Sequence, residues 1–94
     1  MRTELFNEIL SRVSEVTELG SEEILKSNKE ECTDARYILI QLLFKMGFTD
    51  TEVSERMGCS RQSINYAKNH FEGRLGKWGV RVNYRDIAKY YKFN

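Results

Sequence analysis

The sequence predicts an all-α domain of five or six helices that contains a helix-turn-helix, and three observations lead to this prediction. The chain contains no proline, so long uninterrupted helices are permitted. Apolar residues recur at helical spacing, most clearly from Thr3 to Thr17 and from Asp34 to Met46. Ser54, Gly58 and Ile64 have the spacing of two short helices joined by a tight turn.

The first helix is predicted over residues 3–17, and a short second helix follows Gly20. Ser21 can cap this second helix, because its hydroxyl can accept from a free backbone N–H. Glu22 and Glu23 then fall in the first turn, where acids suit the helix dipole. The apolar stripe of the first helix consists of Leu5, Phe6, Ile9, Leu10, Val13 and Val16.

A polar loop is predicted over residues 26–31, before the central helix of the core. Thr33 or Asp34 is expected to cap that helix. Gly47 is expected to end it, because glycine adopts positive φ at little steric cost. The apolar positions of the central helix are Ala35, Ile38, Leu39, Leu42, Leu43 and Met46.

The helix-turn-helix is predicted at about residues 49–71. Thr49 and Glu52 form a capping box that starts its first helix. Gly58 supplies the turn, and Ser60 caps the second helix. The residues expected on the inner faces of the two helices are Val53, Met57, Ile64, Ala67 and Phe71.

Residues 74–94 are predicted to be a basic, aromatic C-terminal extension, so that a single domain covers residues 1–94. The alternation in residues 80–82 indicates a short strand or an extended arm. Asn83 or Asp86 is expected to cap a last helix. Packing in the core or in a self-association interface is expected for the aromatic residues Tyr37, Phe44, Trp78, Tyr84, Tyr90, Tyr91 and Phe93.

The net charge of +1 conceals an asymmetry along the chain. Residues 1–60 contain seven Lys or Arg and twelve Asp or Glu, a balance of −5, whereas residues 61–94 contain eight and two, a balance of +6. A basic third that starts at the second helix of the motif is expected of a protein with a polyanionic partner. Uneven charge by chance is the alternative explanation.

Other function classes lack their signatures. No apolar run has the length of a membrane span, and the N-terminus lacks an apolar signal core, so we expect a cytoplasmic protein without a membrane partner. Cys32 and Cys59 lack ligand spacing and are expected to be reduced thiols. Phosphate-loop, nucleophile-elbow and zinc-protease motifs are missing, and His70 is the single histidine. We therefore expect no enzymatic activity, no cofactor and no metal.

The outer side of the second helix of the motif carries residues that suit base edges in a major groove. Arg61 suits a guanine edge, and Gln62 or Asn65 suits an adenine edge. The residues expected to contact bases are Ser60, Arg61, Gln62, Ser63, Asn65 and Tyr66. Those expected to contact the DNA backbone are Lys26, Lys29, Arg36, Thr49, Lys68, Asn69 and Arg74. A capped surface helix in an ordinary bundle is the alternative.

Residues 9 to about 75 resemble the C-terminal DNA-binding domain of the bacterial replication initiator DnaA. The chain shares the order of a helix such as ILSRVSEVTELGSEEILK, a loop, an Ala35-Arg36 opening of the long helix, and a helix-turn-helix. Residues 58–64, GCSRQSI, stand where the family has Gly-Arg-Asp-His-Thr-Thr-Val, and Ala67 matches a family alanine. The resemblance implies base contacts by the helix start, residues 60–63, and a backbone contact by Arg36.

The chain departs from the family at positions that affect specificity. The Asp-His-Thr of the family is replaced, so the family's DNA box is not expected to be the target. The basic loop is diluted over residues 26–31, the minor-groove arginine expected there is absent, and the turn is one residue shorter. The family's nucleotide-binding module is missing, so we do not expect this chain to be an ATP-driven initiator by itself.

Together these features predict sequence-specific binding of double-stranded DNA by a stand-alone regulator or a mobile-element replication accessory. The alternative is a helical protein-interaction module, with a homodimer through the aromatic C-terminal segment. An RNA-binding or non-binding relative is a third interpretation. An interaction module should expose a contiguous apolar patch from the tail. A DNA-binding protein should gather on one positive surface Arg36, Arg61, Gln62, Lys68 and Arg74.

Overall fold

A computed structural model describes residues 2–91 and shows an all-α fold, as the sequence predicts. Over these residues the chain forms seven helices, one of which is a single turn. In chain order they are α1 (Arg2–Thr17), α2 (Ser21–Lys26), α3 (Glu30–Lys45), α4 (Asp50–Met57), α5 (Arg61–Asn69), α6 (Phe71–Arg74) and α7 (Trp78–Tyr91). No helix in this part of the chain has the length and apolar character needed to cross a membrane.

The central helix is α3, on which each of the other six helices packs. Leu39, Leu42 and Leu43 are fully buried along it, because its apolar stripe is surrounded by neighbouring helices. The predicted core is confirmed as one cluster that joins α3, α4 and α5, although Met46 is only partly buried. Its predicted members are Ile38, Leu39, Leu42, Met46, Val53, Met57, Ile64 and Ala67.

The structure corrects the predicted start of α3. Its first residue is Glu30 and its N-cap is Lys29, so the predicted cap at Thr33 or Asp34 and the predicted loop through Glu31 are wrong. Glu30 and Glu31 favour the earlier start, because acids in the first turn interact well with the helix dipole. The Thr33 amide donates to the Lys29 carbonyl at 2.9 Å and continues the helix.

The start of α2 also differs from the prediction. Ser21 is the first helical residue, and Gly20 occupies the N-cap position. Oε1 of Glu23 accepts from the Gly20 amide at 3.0 Å, so a glutamate satisfies the helix start in place of the serine hydroxyl.

The largest correction concerns residues 80–82, which belong to α7 and form neither a strand nor an arm. The helix also starts well before Asn83 and Asp86, the predicted caps. Val80 and Ile87 are buried seven residues apart, so the segment follows the helical period and buries one side against the core. A three-residue alternation is too short to outweigh that burial. Phe93 lies outside the described residues.

Candidate nucleic-acid interface

The turn between α4 and α5 has the geometry that its sequence predicts. Gly58 has φ of +68°, in the left-handed region that favours glycine. An added Cβ there would meet nothing within 4 Å, so backbone conformation, not space, explains the glycine. The Ser54 hydroxyl donates to the Cys59 carbonyl at 2.5 Å, and the Cys59 amide donates to the Ser54 carbonyl at 3.1 Å. Ser54 therefore closes the turn.

The first helix of this pair is fixed at its start. The predicted capping box is confirmed, because Thr49 Oγ1 accepts from the Glu52 amide at 3.2 Å and Glu52 Oε1 accepts from the Thr49 amide at 2.9 Å. Arg2 binds both carboxylate oxygens of Glu52 and the Gly47 carbonyl. The Thr49 hydroxyl is thus occupied by a cap, although the residue itself is exposed.

The second helix, α5, is buried on one side and exposed on the other. Ile64 and Ala67 are buried in the core. Ser60 caps the helix as predicted, since its hydroxyl accepts from the Ser63 amide at 3.1 Å. The first backbone N–H groups of a helix have no intrahelical partner, so those of Arg61 and Gln62 face outward from the helix start. An anion could bind them there.

The outer face of α5 gathers most of the predicted base-contacting residues. Asn65 is half-buried, whereas the other five are exposed: Ser60, Arg61, Gln62, Ser63 and Tyr66. The Gln62 amide forms no hydrogen bond to residues 2–91, so it keeps both its donor and its acceptor for a partner. The Tyr66 ring stacks on the His70 ring with 3.8 Å between centroids. His70 follows the last residue of α5, and its spacing of four residues from Tyr66 could have indicated this pair.

Asp50, which the sequence-based prediction missed, lies beside this face at the start of α4. Its Oδ2 is 3.2 Å from Asn65 Nδ2 and 3.5 Å from Arg61 Nε. The hydrogen bond from Asn65, and secondarily the Arg61 charge, hold the pKa of Asp50 below its ordinary value, so the carboxylate stays ionised. No sequence signal connects Asp50 to α5, because the contact depends on how α4 and α5 cross.

The Asp50 contact affects Arg61 and Asn65 differently. Asp50 lies 3.5 Å from Nε of Arg61, and neither terminal amino group of Arg61 forms a hydrogen bond to a described residue. Asn65 donates both to Asp50 and to the Arg61 carbonyl, which turns its amide nitrogen toward the protein. Of the two amides considered for an adenine edge, Gln62 is the available one.

Arg36 lies next to α5, but its guanidinium donates to two backbone carbonyls of the protein. A groove of about 590 Å³ between α3 and α5 brings it together with Gln62, Ser63 and Tyr66. Its Nε donates to the Ile24 carbonyl at 2.8 Å and its Nη2 to the Ser27 carbonyl at 2.6 Å. Arg36 therefore fastens the C-terminal end of α2 to α3, which is a structural role.

The guanidinium of Arg74 is paired with two acidic side chains of α3. Its Nη1 is 2.7 Å from Asp34 Oδ1 and 3.2 Å from Glu30 Oε2, and its guanidinium lies 4.2 Å from the centre of the Tyr37 ring. Lys77 binds the same two carboxylates. We name Glu30, Asp34, Arg74 and Lys77 the junction cluster, since they fasten the α6–α7 junction to α3.

The titration behaviour of the junction cluster reflects these contacts. Burial alone would lower the pKa of Arg74, but hydrogen bonds with Asp34 and Tyr37 outweigh it and raise that pKa. Hydrogen bonds with Glu30 and Asp34 raise the pKa of Lys77. The Lys77 ammonium in turn lowers the pKa of Glu30. The two cations are thus largely neutralised within the protein.

The remaining predicted backbone contacts are exposed. Lys68 projects from α5 with its ammonium 4.7 Å from the centre of the Phe44 ring, and Asn69 follows it. Lys26 and Lys29 flank the connection between α2 and α3. None of these three lysines forms an ion pair with a residue in the described range 2–91. Their charges are available to a partner.

Comparison of the chain with protein-family models, with curated proteins and with solved structures finds no match in any of the three.

Proposed function

We propose that the protein binds double-stranded DNA sequence-specifically, with α4 and α5 as a helix-turn-helix and α5 as its recognition helix. One observation carries the proposal: the outer side of a firmly anchored α5 presents Arg61 and Gln62 with unbonded donor groups at an open helix start. A recognition helix needs this combination, because its first turn must reach base edges while its other side stays fixed to the domain.

The contacts of Arg61 support a specific role for it. Arginine recognises guanine through two donors directed at O6 and N7. Asp50 holds Nε of Arg61 at 3.5 Å and leaves the terminal amino groups unbonded. Asp50 is therefore a positioning residue, which restricts the guanidinium without using the atoms that would face guanine. Gln62, one residue further, can pair with an adjacent adenine edge.

Phosphate contacts supply the affinity in this proposal. The amides at the start of α5 and the unpaired charges of Lys26, Lys29 and Lys68 are the groups that would hold the DNA backbone. Arg74 is left out, because the junction cluster occupies its guanidinium. With about four neutralised phosphates, log K should fall against log salt with a slope of about −4.

Selection from a random duplex pool tests the proposal directly. We expect a consensus site, and binding of that site should show the salt slope given above. Failure to bind any duplex at low salt, or an affinity independent of salt, would contradict DNA binding. Binding without any enriched sequence would remove the specificity but keep the phosphate contacts.

We also propose a cytoplasmic, non-enzymatic role, as a stand-alone regulator or as a replication accessory of a mobile element. The support is the resemblance of the helix order and of residues 58–64 to the initiator domain, together with the exposed α5 surface. The selected consensus tests this role, because a regulator's sites should lie at promoters and an accessory's sites at an origin.

A protein-interaction module is the second candidate function, and exposed Trp78 favours it. Trp78 is 72 % exposed and Tyr90 is 55 % exposed. Tyr90 follows Trp78 by twelve positions, which places the two residues about 18 Å apart along α7. A contiguous apolar patch is therefore lacking on the described part of the tail, whereas Tyr84 and Tyr91 pack inward. A dimer in analytical ultracentrifugation that Trp78→Ala dissociates would support this candidate.

A further inference from the structure

Four exposed cations belong to the helices α3, α5 and α7. Lys45 and Lys68 line a groove of about 410 Å³ together with Leu75 and Tyr84. Arg81 Nη1 donates to the carbonyl of Leu75, a residue that lines this groove, at 3.1 Å. Arg85 follows Tyr84 and lies one helical turn after Arg81. We name the four cations Lys45, Lys68, Arg81 and Arg85 the lateral patch.

The lateral patch differs from the other basic positions of α7 and its junction in having no internal counter-charge. Lys77 binds Glu30 and Asp34, and Lys89 lies 4.0 Å from Asp86. None of the four cations of the patch has an ion pair among residues 2–91. Glu72 is the single acid that lines the groove beside them. Unpaired cations grouped in this way produce a positive potential that attracts phosphate.

We propose that the lateral patch is a second phosphate-binding surface, which holds duplex DNA beyond the base pairs contacted by the first turn of α5. The inference rests on the proposed function, because Lys68 belongs to both surfaces and connects them along α5. Duplex phosphates fit better than single-stranded bases, since Tyr84 is half-buried and packs edge-on against Phe71 with 5.0 Å between centroids. The groove thus lacks an exposed ring for base stacking.

The geometry limits how much flanking DNA the patch needs. Lys68 lies seven residues after Arg61, which corresponds to about 10 Å along the helix axis. A neighbouring helix adds about 8–10 Å. At about 3.4 Å per base pair, the patch would contact phosphates roughly three to six base pairs from the bases contacted by Arg61. The longest extent of the molecule, 30 Å, is compatible with that distance.

Two variants on α7 test the inference with a matched loss of charge. Arg85→Ala removes a cation of the patch, and Lys89→Ala removes a cation one turn later that lies beside Val16 and Tyr90 of another groove. Affinity for the selected duplex is measured against salt for both variants and for the unchanged protein. Arg85→Ala should make the log–log slope shallower by about 1, and Lys89→Ala should leave it unchanged.

A third variant and two shortened duplexes test whether the effect arises from phosphate bound at the lateral patch. Glu72→Gln should tighten binding, because it removes the acid that competes with phosphate in the groove. Shortening the duplex on one side of the selected site should abolish the difference between Arg85→Ala and the unchanged protein, while shortening the other side should preserve it. Arg61→Ala should weaken binding to all of these duplexes.

The outcomes separate the inference from the proposed function. If the unchanged protein binds the selected duplex and both α7 variants have equal slopes, the lateral patch is refuted and the helix-turn-helix proposal stands. If the unchanged protein binds no duplex, both proposals fail. A slope that differs between Arg85→Ala and Lys89→Ala only on duplexes with the flanking segment supports the patch.

Discussion

The outer face of α5 and the junction cluster both belong to the basic third of the chain, yet they use their cations in opposite ways. On α5, Arg61 pairs with one acid among residues 2–91, and Lys68 lies over the Phe44 ring without an ion pair in that range. In the junction cluster, Arg74 and Lys77 each bind both Glu30 and Asp34. Equal formal charges along the sequence therefore have unequal availability to a polyanion.

The role of a cation in this protein depends on the residues that the fold brings to it from distant parts of the chain. Glu30 and Asp34 precede Arg74 by 44 and 40 residues, and the fold brings them together because α6 packs on α3. A paired, half-buried guanidinium stabilises the fold, whereas an exposed and unpaired one can exchange its water for phosphate. Substitutions in the two regions test this contrast.

The largest expected effect tests whether both regions depend on one core. Leu42 is fully buried on α3, the helix that supports α5 and the junction alike. Leu42→Ala should lower the free energy of unfolding by about 2–5 kcal/mol in a denaturant titration, because it leaves a cavity. Hydrogen exchange should then accelerate together in α5 and α7. A loss under about half a kcal/mol would contradict the central position of α3.

The next effect separates base contact from structural support. Arg61→Ala should weaken binding to the selected site by about 1–3 kcal/mol and relax the preference at one or two base pairs. Arg36→Ala should lower the free energy of unfolding by about 1–3 kcal/mol, because the Ile24 and Ser27 carbonyls lose their donor. It should leave the preference intact and weaken all duplexes about equally, because Lys26 and Lys29 flank the connection that Arg36 fastens.

A competition assay against single-base variants of the site, combined with thermal unfolding, measures both effects of this pair. If Arg61→Ala retained the full sequence preference, α5 would not be the recognition helix. The interaction-module function would then explain the structure better.

A smaller effect contrasts the two regions themselves. Arg74→Ala should lower the free energy of unfolding by about 1–2 kcal/mol, since it removes hydrogen bonds to Asp34 and Glu30 and a cation–π contact with Tyr37. The salt dependence of DNA binding by the Arg74→Ala variant should match that of the unchanged protein. Lys68→Ala should make the log–log slope shallower by about 1, and it should lower the stability less than Arg74→Ala, because Lys68 has a cation–π contact with Phe44 but no ion pair among residues 2–91. Equal slopes for the two variants would remove the distinction between the regions.

The parts of the fold that could be predicted are those governed by local sequence. The capping box of Thr49, the glycine turn at Gly58 and the Ser60 cap depend on residues within five positions of one another. The apolar period likewise placed Leu42 and Ile64 in the core. Each of these features follows from helix geometry without knowledge of tertiary contacts.

The parts that could not be predicted depend on tertiary contacts. Residues 80–82 were predicted as a short strand or an extended arm because their side chains alternate, whereas burial of Val80 and Ile87 makes them part of one helix, α7. Asp50 was missed because its partners lie eleven and fifteen residues away, on α5. The roles of α5 in base contact stay predictions until a duplex is bound.

The smallest expected effect concerns the pH dependence of the junction cluster. Lys77, and to a lesser degree Arg74, lower the pKa of Glu30 below its ordinary value of 4.5. The unfolded chain therefore takes up this proton at higher pH than the folded chain. The stabilisation from Glu30 is complete above its ordinary pKa and is lost as the pH falls through the folded-state value. Glu30→Gln should lower the stability near neutral pH, and the difference should vanish in acid.

The effect should be modest because Glu30 is 70 % exposed, and it should shrink further at high salt. Unfolding free energies from urea titrations between about pH 3 and pH 7 measure it. The control is the Lys77→Ala background, in which Glu30→Gln should change the profile much less, since Lys77 is the main cause of the lowered pKa. On α5 the corresponding change, Asp50→Asn, also removes a lowered carboxyl pKa, but it frees Arg61 and should therefore affect sequence preference as well. If Glu30→Gln altered sequence preference, or Asp50→Asn altered only stability, the two regions would not divide the roles of structure and contact in the way that their ion pairs indicate.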